Sequence, residues 1–457
     1  MTAGLRSPKA RWILVALFLV SLVGVTTRLG AADEIEYFSW LRSWTFDHDV
    51  DFRNEYGHFY DAGPDRLRGF RATFLDLTNE AGRAPNFAPI GTAILWAPFY
   101  AVGHVAAMLT GQPANGYSPP YITAVTWASA GYGFAALWLS WAIARRLLGH
   151  GGTATMATAL GTPIVFYMYV APGFSHAASA FAVSLFIWIW LKVRESWSPS
   201  GMALLALVGA LLPMVREQDV FFLVGPALDF SRAMILTVPG NRRRPLLGVI
   251  TSAVVFLLAY APQLIAYDAL NGHPSPTHLV ARKMTWSSPH FMGVLFSPEH
   301  GFFVWTPLAI VACAGLVAMA AGRVPGLHRD TRWLTALFLV QIALQAYVSG
   351  CVESWTVAGS FGQRRFVAVT PLLVVGLAAL VPAMRNWRAH VMTAVVVLCV
   401  WWNIGLMAQF GLHRMDRQRM SPAENARVTF VELPLHAPSI VWRYVTNRES
   451  FYGLPQQ

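Results

Sequence analysis

Three carboxylates follow directly on the first long apolar run: Asp33, Glu34 and Glu36 in "LGAADEIEYFSWLRSW", Leu29 to Trp44. A carboxylate held at the edge of a membrane can take a proton from a hydroxyl, which is general-base chemistry. Arg364 and Arg365 in "SFGQRRF" supply paired guanidinium forks, the geometry that binds phosphate oxygens bidentately. Arg216, Glu217 and Asp219 interrupt an apolar run that otherwise continues from Met202 to Leu228, where ionisable groups are costly and are functional or mutually paired. His176 in "APGFSH" and His300 in "SPEHGFF" join them as site candidates. Each has a plainer reading: an Arg–Glu pair closing a hairpin, arginines snorkelling to headgroups, a packed histidine, acids favoured by a helix dipole. "DHDVD", Asp47 to Asp51, fails as an EF-hand loop because Phe52 and His58 stand where Gly and Glu are needed. A solvated acidic turn is expected there.

The elements that must position these groups are membrane helices. Of 457 residues, 55% are hydrophobic and 12% charged, about half the charge of a soluble domain. Repeated apolar runs of ~18 or more residues predict an all-α polytopic membrane protein. The formal charge of +11 is assigned to arginines in short cytoplasmic loops and to no nucleic-acid partner. Cys313, Cys351 and Cys399 make no paired framework. The run from Trp12 to about Gly30 follows Arg6, Lys9 and Arg11, so the N-terminus is expected in the cytoplasm, with this span an uncleaved anchor.

Basic clusters at Arg145/Arg146, Lys192/Arg194, Arg242/Arg243/Arg244, Arg323/Arg329/Arg332 and Arg385/Arg388 all fall on the cytoplasmic side if Phe87–Met108, with Pro89 and Pro98, does not cross. That threading predicts about 11 transmembrane helices plus a membrane-embedded helix in the first outer loop, residues 31–119. It also puts Asp33, His176, Arg216, Glu299, His300 and Arg365 on one face, as a cavity open to that face requires. Asp33 and Glu34, followed by Tyr37, Phe38, Trp40, Leu41 and Trp44, have the spacing of an amphipathic helix lying at the interface.

With those motifs in view the chain resembles the GT-C glycosyltransferases, in the branch of protein O-mannosyltransferases and lipid A aminoarabinose transferases. "DEIEYFSWLRS" is similar to the family's acidic opening of the first outer loop, and "PNFAPIGTAILWAPFY" to its proline-containing loop segment, with Ala88 in place of the first proline. "RRLLG" at Arg145, "SHAASAF" with His176 in a position often acidic, and "FGQRRFVAVTPLL" continue the likeness through residues 12 to 385. The resemblance implies a GT-C-type bundle over residues 1–410 and a short tail, 411–457, on the outer side.

The same resemblance implies an inverting transfer of a sugar from a polyprenyl-phosphate donor to a lipid, glycan or protein acceptor, at the outer face of the cytoplasmic (inner) membrane. Asp33 is then the catalytic base with Glu34 as orienting or alternate base, and Arg364, Arg365 and Arg216 hold the donor phosphate. His176, Glu217 and His300 are further site candidates. No cofactor is required, and a divalent metal is left open. A lipid transporter or flippase, or a non-catalytic protein of the same fold, is the alternative; a transporter calls for midplane charges and an internal repeat.

Overall fold

The computed structural model describes residues 8–64, 67, 69–236, 243–357, 359–380, 387–447 and 450, with backbone alone at 8–11, 243, 244, 281, 387 and 388. Arg6, Arg242 and Arg385, three of the expected cytoplasmic anchors, lie outside the described residues. Among the described residues every regular element is helical. In chain order these are α1 (Pro8–Ser21), α2 (Ala32–Arg42), α3 (Arg53–Asp61), α4 (Gly91–Leu109), α5 (Pro119–Leu148), α6 (Gly152–Gly161) and α7 (His176–Val193). Next come α8 (Pro199–Val215), α9 (Val224–Leu236), α10 (Arg243–Asn271), α11 (His278–Ala281), α12 (Phe291–Phe296) and α13 (Phe302–Trp305). The last are α14 (Leu308–Ala320), α15 (Arg329–Cys351), α16 (Thr370–Leu380), α17 (Trp387–Gly411), α18 (Pro422–Arg427) and α19 (Leu433–Thr446).

Six of them are long and apolar enough to cross a membrane: α4, α5, α7, α15, and the stretches Pro245–Asn271 of α10 and Ala389–Gly411 of α17. Three shorter apolar helices accompany them. The chain is therefore compatible with a helical integral membrane protein of the multi-pass kind. It divides into two compact units, Met1–Ile143 with Tyr167–Met284, and Ala144–Phe166 with Thr285–Gln457.

In the first unit the segment between α1 and α5 builds an aromatic core. Phe38, Trp40, Phe52, Tyr56, Trp96 and Tyr121 are all buried there. Trp40 stands edge-on to Phe52, with centroids 4.8 Å apart, and its indole N–H donates to the Ala88 carbonyl at 2.9 Å. This changes the expected character of α2. Glu34 through Leu41 is buried on every side, so α2 is not an interfacial amphipathic helix. The reason is that α3 covers the Phe38 side, with Phe59 edge-on to Phe38, while the 86–88 turn and α4 cover the Trp40 side.

Several continuous apolar stretches of the sequence are broken in the structure. Residues 153–170 become α6, a break at Pro163 and a π turn at Phe166–Val170. Thr162, preceding the proline, is extended, as steric clash with the ring dictates. In the second unit Asn403 of α17 repairs this break, donating to the carbonyls of Leu160 (2.8 Å) and Thr162 (3.1 Å). A backbone group freed in an apolar layer must find such a partner. Likewise 364–369 is a 3-10 turn leading into α16, and Pro307 separates α13 from α14. The first part of the tail folds back on α17: Gln409 Nε2 donates to the Asn425 backbone carbonyl at 3.1 Å, Asn425 Nδ2 donates to Gln409 Oε1 at 2.7 Å, and Trp401 donates to the Thr429 carbonyl at 3.0 Å.

Within the second unit α14 and α16 approach through glycines. A methyl built on Gly315 would lie 1.9 Å from the Gly376 carbonyl oxygen, and one on Gly376 2.1 Å from that of Ala312. Backbone cannot rotate away from such a contact, which is why small residues line close helix crossings. G315A and G376A are expected to destabilise the protein by about 1–3 kcal/mol. G131A, where no atom lies within 4 Å, should leave thermal unfolding in detergent unchanged or raise its midpoint. Equal midpoints for all three variants would contradict the crossing.

Candidate functional site

One group of polar side chains in the first unit lies at the start of α2. Asp33 and Glu34 occupy its first turn, where the helix dipole favours negative charge. They differ in surroundings. Asp33 is half-buried, whereas Glu34 is 4% exposed. Glu34 Oε2 accepts from the backbone N–H of Gly30 (2.8 Å) and Ala31 (3.1 Å), the returning half of a capping box. Ala31, with no side-chain oxygen, cannot supply the other half. Gly173 packs against this carboxylate so closely that a methyl there would lie 2.9 Å from Glu34 Cδ. Burial raises the Glu34 carboxyl to about 7, opposed by those backbone bonds and helped by the Asp33 charge.

The third acid of the opening motif is spoken for. Glu36 Oε1 accepts from Phe87 N at 2.6 Å, and the Glu36 carbonyl accepts from Asn86 Nδ2 at 3.0 Å. It ties the proline-containing loop to α2.

Opposite α2, Arg216 ends α8 in an extended conformation. Its Nη1 donates to Ser175 Oγ at 3.1 Å, while its Nε is buried with no hydrogen-bond partner among the described residues. Burial pushes the Tyr37 phenol up to about 12, against the pull of Arg216 and Ser175 and with the push of Asp33 and Glu36. Those couplings show that Asp33, Tyr37, Ser175 and Arg216 share one electrostatic neighbourhood. Glu217 joins it: Tyr267 donates to its Oε1, and burial raises its pKa against the opposing effects of Tyr267 and Arg216. Asp219 instead accepts from Ser179 Oγ at 2.6 Å, fastening the turn to α7. His176 is 1% exposed, with Tyr167 edge-on at 4.5 Å and Phe174 stacked at 5.6 Å. Ser175, Tyr37 and Tyr267 were missed from sequence; Ser175 sits beside His176, a proximity that could have flagged it.

In the second unit, Arg365 is 8% exposed and its guanidinium donates to the Ser349 carbonyl (3.3 Å) and Ser354 Oγ (3.2 Å). Arg364 is half-buried and its charge acts on His300. His300 sits in a left-handed conformation (φ 65°), stacked on Trp305 at 4.7 Å, with Nε2 2.8 Å from the Ser360 carbonyl. Burial lowers its pKa. Arg365 and His300 therefore brace the 349–366 segment of their own unit.

The "DHDVD" turn is consumed by loop structure. Arg42 donates to Asp47 and, at 3.1 Å, to Glu55; Asn54 donates to Asp47 at 2.6 Å, and Ser43 Oγ donates to Asp49 at 2.8 Å. Glu55 is wholly buried, and burial raises its carboxyl to about 7 despite Arg42. A separate apolar cavity of about 290 Å³ in the first unit, lined by Phe186, Trp197, Met202, Phe230 and Phe256 among others, carries no titratable group.

Folding raises the Glu34 pKa, so the protonated form is the one stabilised. The contribution is complete below pH 4.5 and lost as pH climbs through about 7, on the order of 3 kcal/mol in all. Glu55 acts in the same direction over the same range. The unfolding midpoint of the purified protein should therefore fall between about pH 5 and about pH 8. In E34Q, whose amide oxygen still accepts from Gly30 and Ala31, roughly half of that fall should remain; an unaltered slope would contradict the assignment. No protein-family model matches the chain, and no curated protein is detectably similar to it.

Proposed function

We propose that the chain is an inverting membrane glycosyltransferase that uses a polyprenyl-phosphate sugar. The reading rests on one observation above the others: Arg216, whose buried Nε has no hydrogen-bond partner among the described residues, stands in the same electrostatic neighbourhood as the half-buried carboxylate of Asp33. A buried donor without a partner is costly in an apolar layer, and an anionic group such as a phosphate oxygen satisfies it.

In this mechanism Asp33 takes the proton of the acceptor hydroxyl as that oxygen attacks the anomeric carbon from the face opposite the phosphate. The new C–O bond forms as the bond to the phosphate oxygen breaks, and the polyprenyl phosphate departs with the electron pair. Arg216 neutralises the charge it gains, and a single displacement inverts the centre. Glu34, saturated by two backbone amides, positions the first turn of α2 and so orients Asp33. The apolar cavity among α7, α8, α9 and α10 suits an isoprenoid or acyl chain. The acceptor is a lipid, glycan or protein, and the topology is that of an inner-membrane protein of about 11 crossings, with a cytoplasmic N-terminus and the site on the outer face.

Sugar transfer from radiolabelled polyprenyl-phosphate sugars in membranes tests the assignment. D33N should lose about 10²–10⁴-fold of the rate, and R216A should lower transfer and raise the apparent KM for the donor. E34Q, which keeps the backbone bonds, should retain most of the activity. Full activity in D33N would sink the base assignment, and lipid movement across vesicles without a new glycosidic bond would replace the enzyme with a transporter.

A further inference from the structure

Away from the Asp33 neighbourhood, still within the first unit, a glutamate and two histidines converge. Glu80 lies in the first outer loop, and His273 and His278 follow the end of α10. One ligand atom from each falls within 4.8 Å of the other two. His278 Nδ1 is 3.5 Å from Glu80 Oε1. That is long for a hydrogen bond but close to the ~3.3 Å edge of a tetrahedron whose bonds are about 2.0–2.1 Å.

The supporting bonds are those that orient metal ligands. Thr277 Oγ1 lies 2.9 Å from both Glu80 oxygens, and the His278 backbone N–H donates to Oε1 at 2.7 Å, so the carboxylate is fixed. Ser275 Oγ engages His273 Nδ1 at 2.8 Å, which fixes that ring and leaves Nε2 as its available donor. That Nε2 is buried and has no hydrogen-bond partner among the described residues. The two imidazoles stack at 5.0 Å and 16°, which keeps both rings at the cluster.

The backbone holds both halves of the cluster in register. Asn79 Nδ2 donates to the Leu270 carbonyl at 2.8 Å, its Oδ1 accepts from Ala81 N and Arg83 N, and Asn271 Nδ2 donates to the Ser275 carbonyl at 3.0 Å. Gly82 (φ 73°) and Gly272 (φ 79°) make the two turns that bring the segments together.

We propose that Glu80, His273 and His278 form a binding site for a divalent transition metal, Zn²⁺ by ligand type, with water as the fourth ligand at the exposed side. Two imidazoles and one carboxylate suit Zn²⁺ and disfavour Mg²⁺ or Ca²⁺, which take oxygen ligands. The ion clips the first outer loop to the end of α10, independently of the reading of Asp33.

Full-length protein in detergent, stripped with a chelator, is titrated with Zn²⁺ and, as a spectroscopic probe, Co²⁺. One equivalent should bind, the Co²⁺ complex should show the intense visible bands of tetrahedral geometry, and the unfolding midpoint should rise with metal. H273A, H278A and E80Q should each weaken binding at least about tenfold, while H436A, an exposed histidine of α19, should not. If the ligand variants fail to fold, the wild-type Co²⁺ spectrum decides alone. An octahedral spectrum, no saturable binding, or affinity untouched by the three variants would overturn the proposal.

Discussion

The structure of the first unit depends on how one short helix disposes of negative charge. α2 carries three carboxylates in its first five residues and is covered on almost every side. A buried carboxylate is tolerated where donors meet it, and backbone amides do so here: Gly30 and Ala31 for Glu34, Phe87 for Glu36. Each bond also fixes chain. The first sets the turn that delivers α2 from the end of the first apolar run, and the second pins the proline-containing loop. Only after both are made does Asp33 stand on a rigid first turn beside Tyr37 and Arg216. The aromatic core packed around Trp40 and Phe38 follows from the same placement.

Helical class and apolar spans were legible from the length of the hydrophobic runs, which needs no tertiary knowledge. The breaks were not, because hydropathy averages over Pro163 and Pro307 without registering the lost N–H. Asp33, Arg216 and Glu217 were picked out as polar interruptions of apolar runs, and all three lie in the first unit. What the spacing of Tyr37, Trp40, Leu41 and Trp44 could not tell is what covers the opposite face of α2. The stripe looked like an interface, and the partners that bury the other side come from residues 59 and 86–96. Similarly, Arg365 and His300 were picked out by residue type, and the structure gives them carbonyl partners within their own unit. The Glu80 cluster was invisible for another reason: its members lie almost 200 residues apart.

Amide side chains recur wherever helices end in apolar surroundings. Gln263 accepts from Ile90 N at 2.9 Å at the entry to α4, Asn79 holds the end of α10, and Gln409 meets Asn425. An amide offers both donor and acceptor without a charge, so it can mend a broken backbone at less desolvation cost than an ion. The pattern accounts for how a chain with so few charged residues keeps its many interrupted helices.

The repair at Asn403 has a mechanical side. One carboxamide holds two carbonyls, at Leu160 and Thr162, on the far side of a proline break. Sliding α17 along α6 by a residue would strand both carbonyls in an apolar layer at once, with no water to take them up. Shear between these helices is thereby blocked, while rotation of the pair as a body is not. Any rearrangement of these two helices is restricted to hinges at their connecting turns.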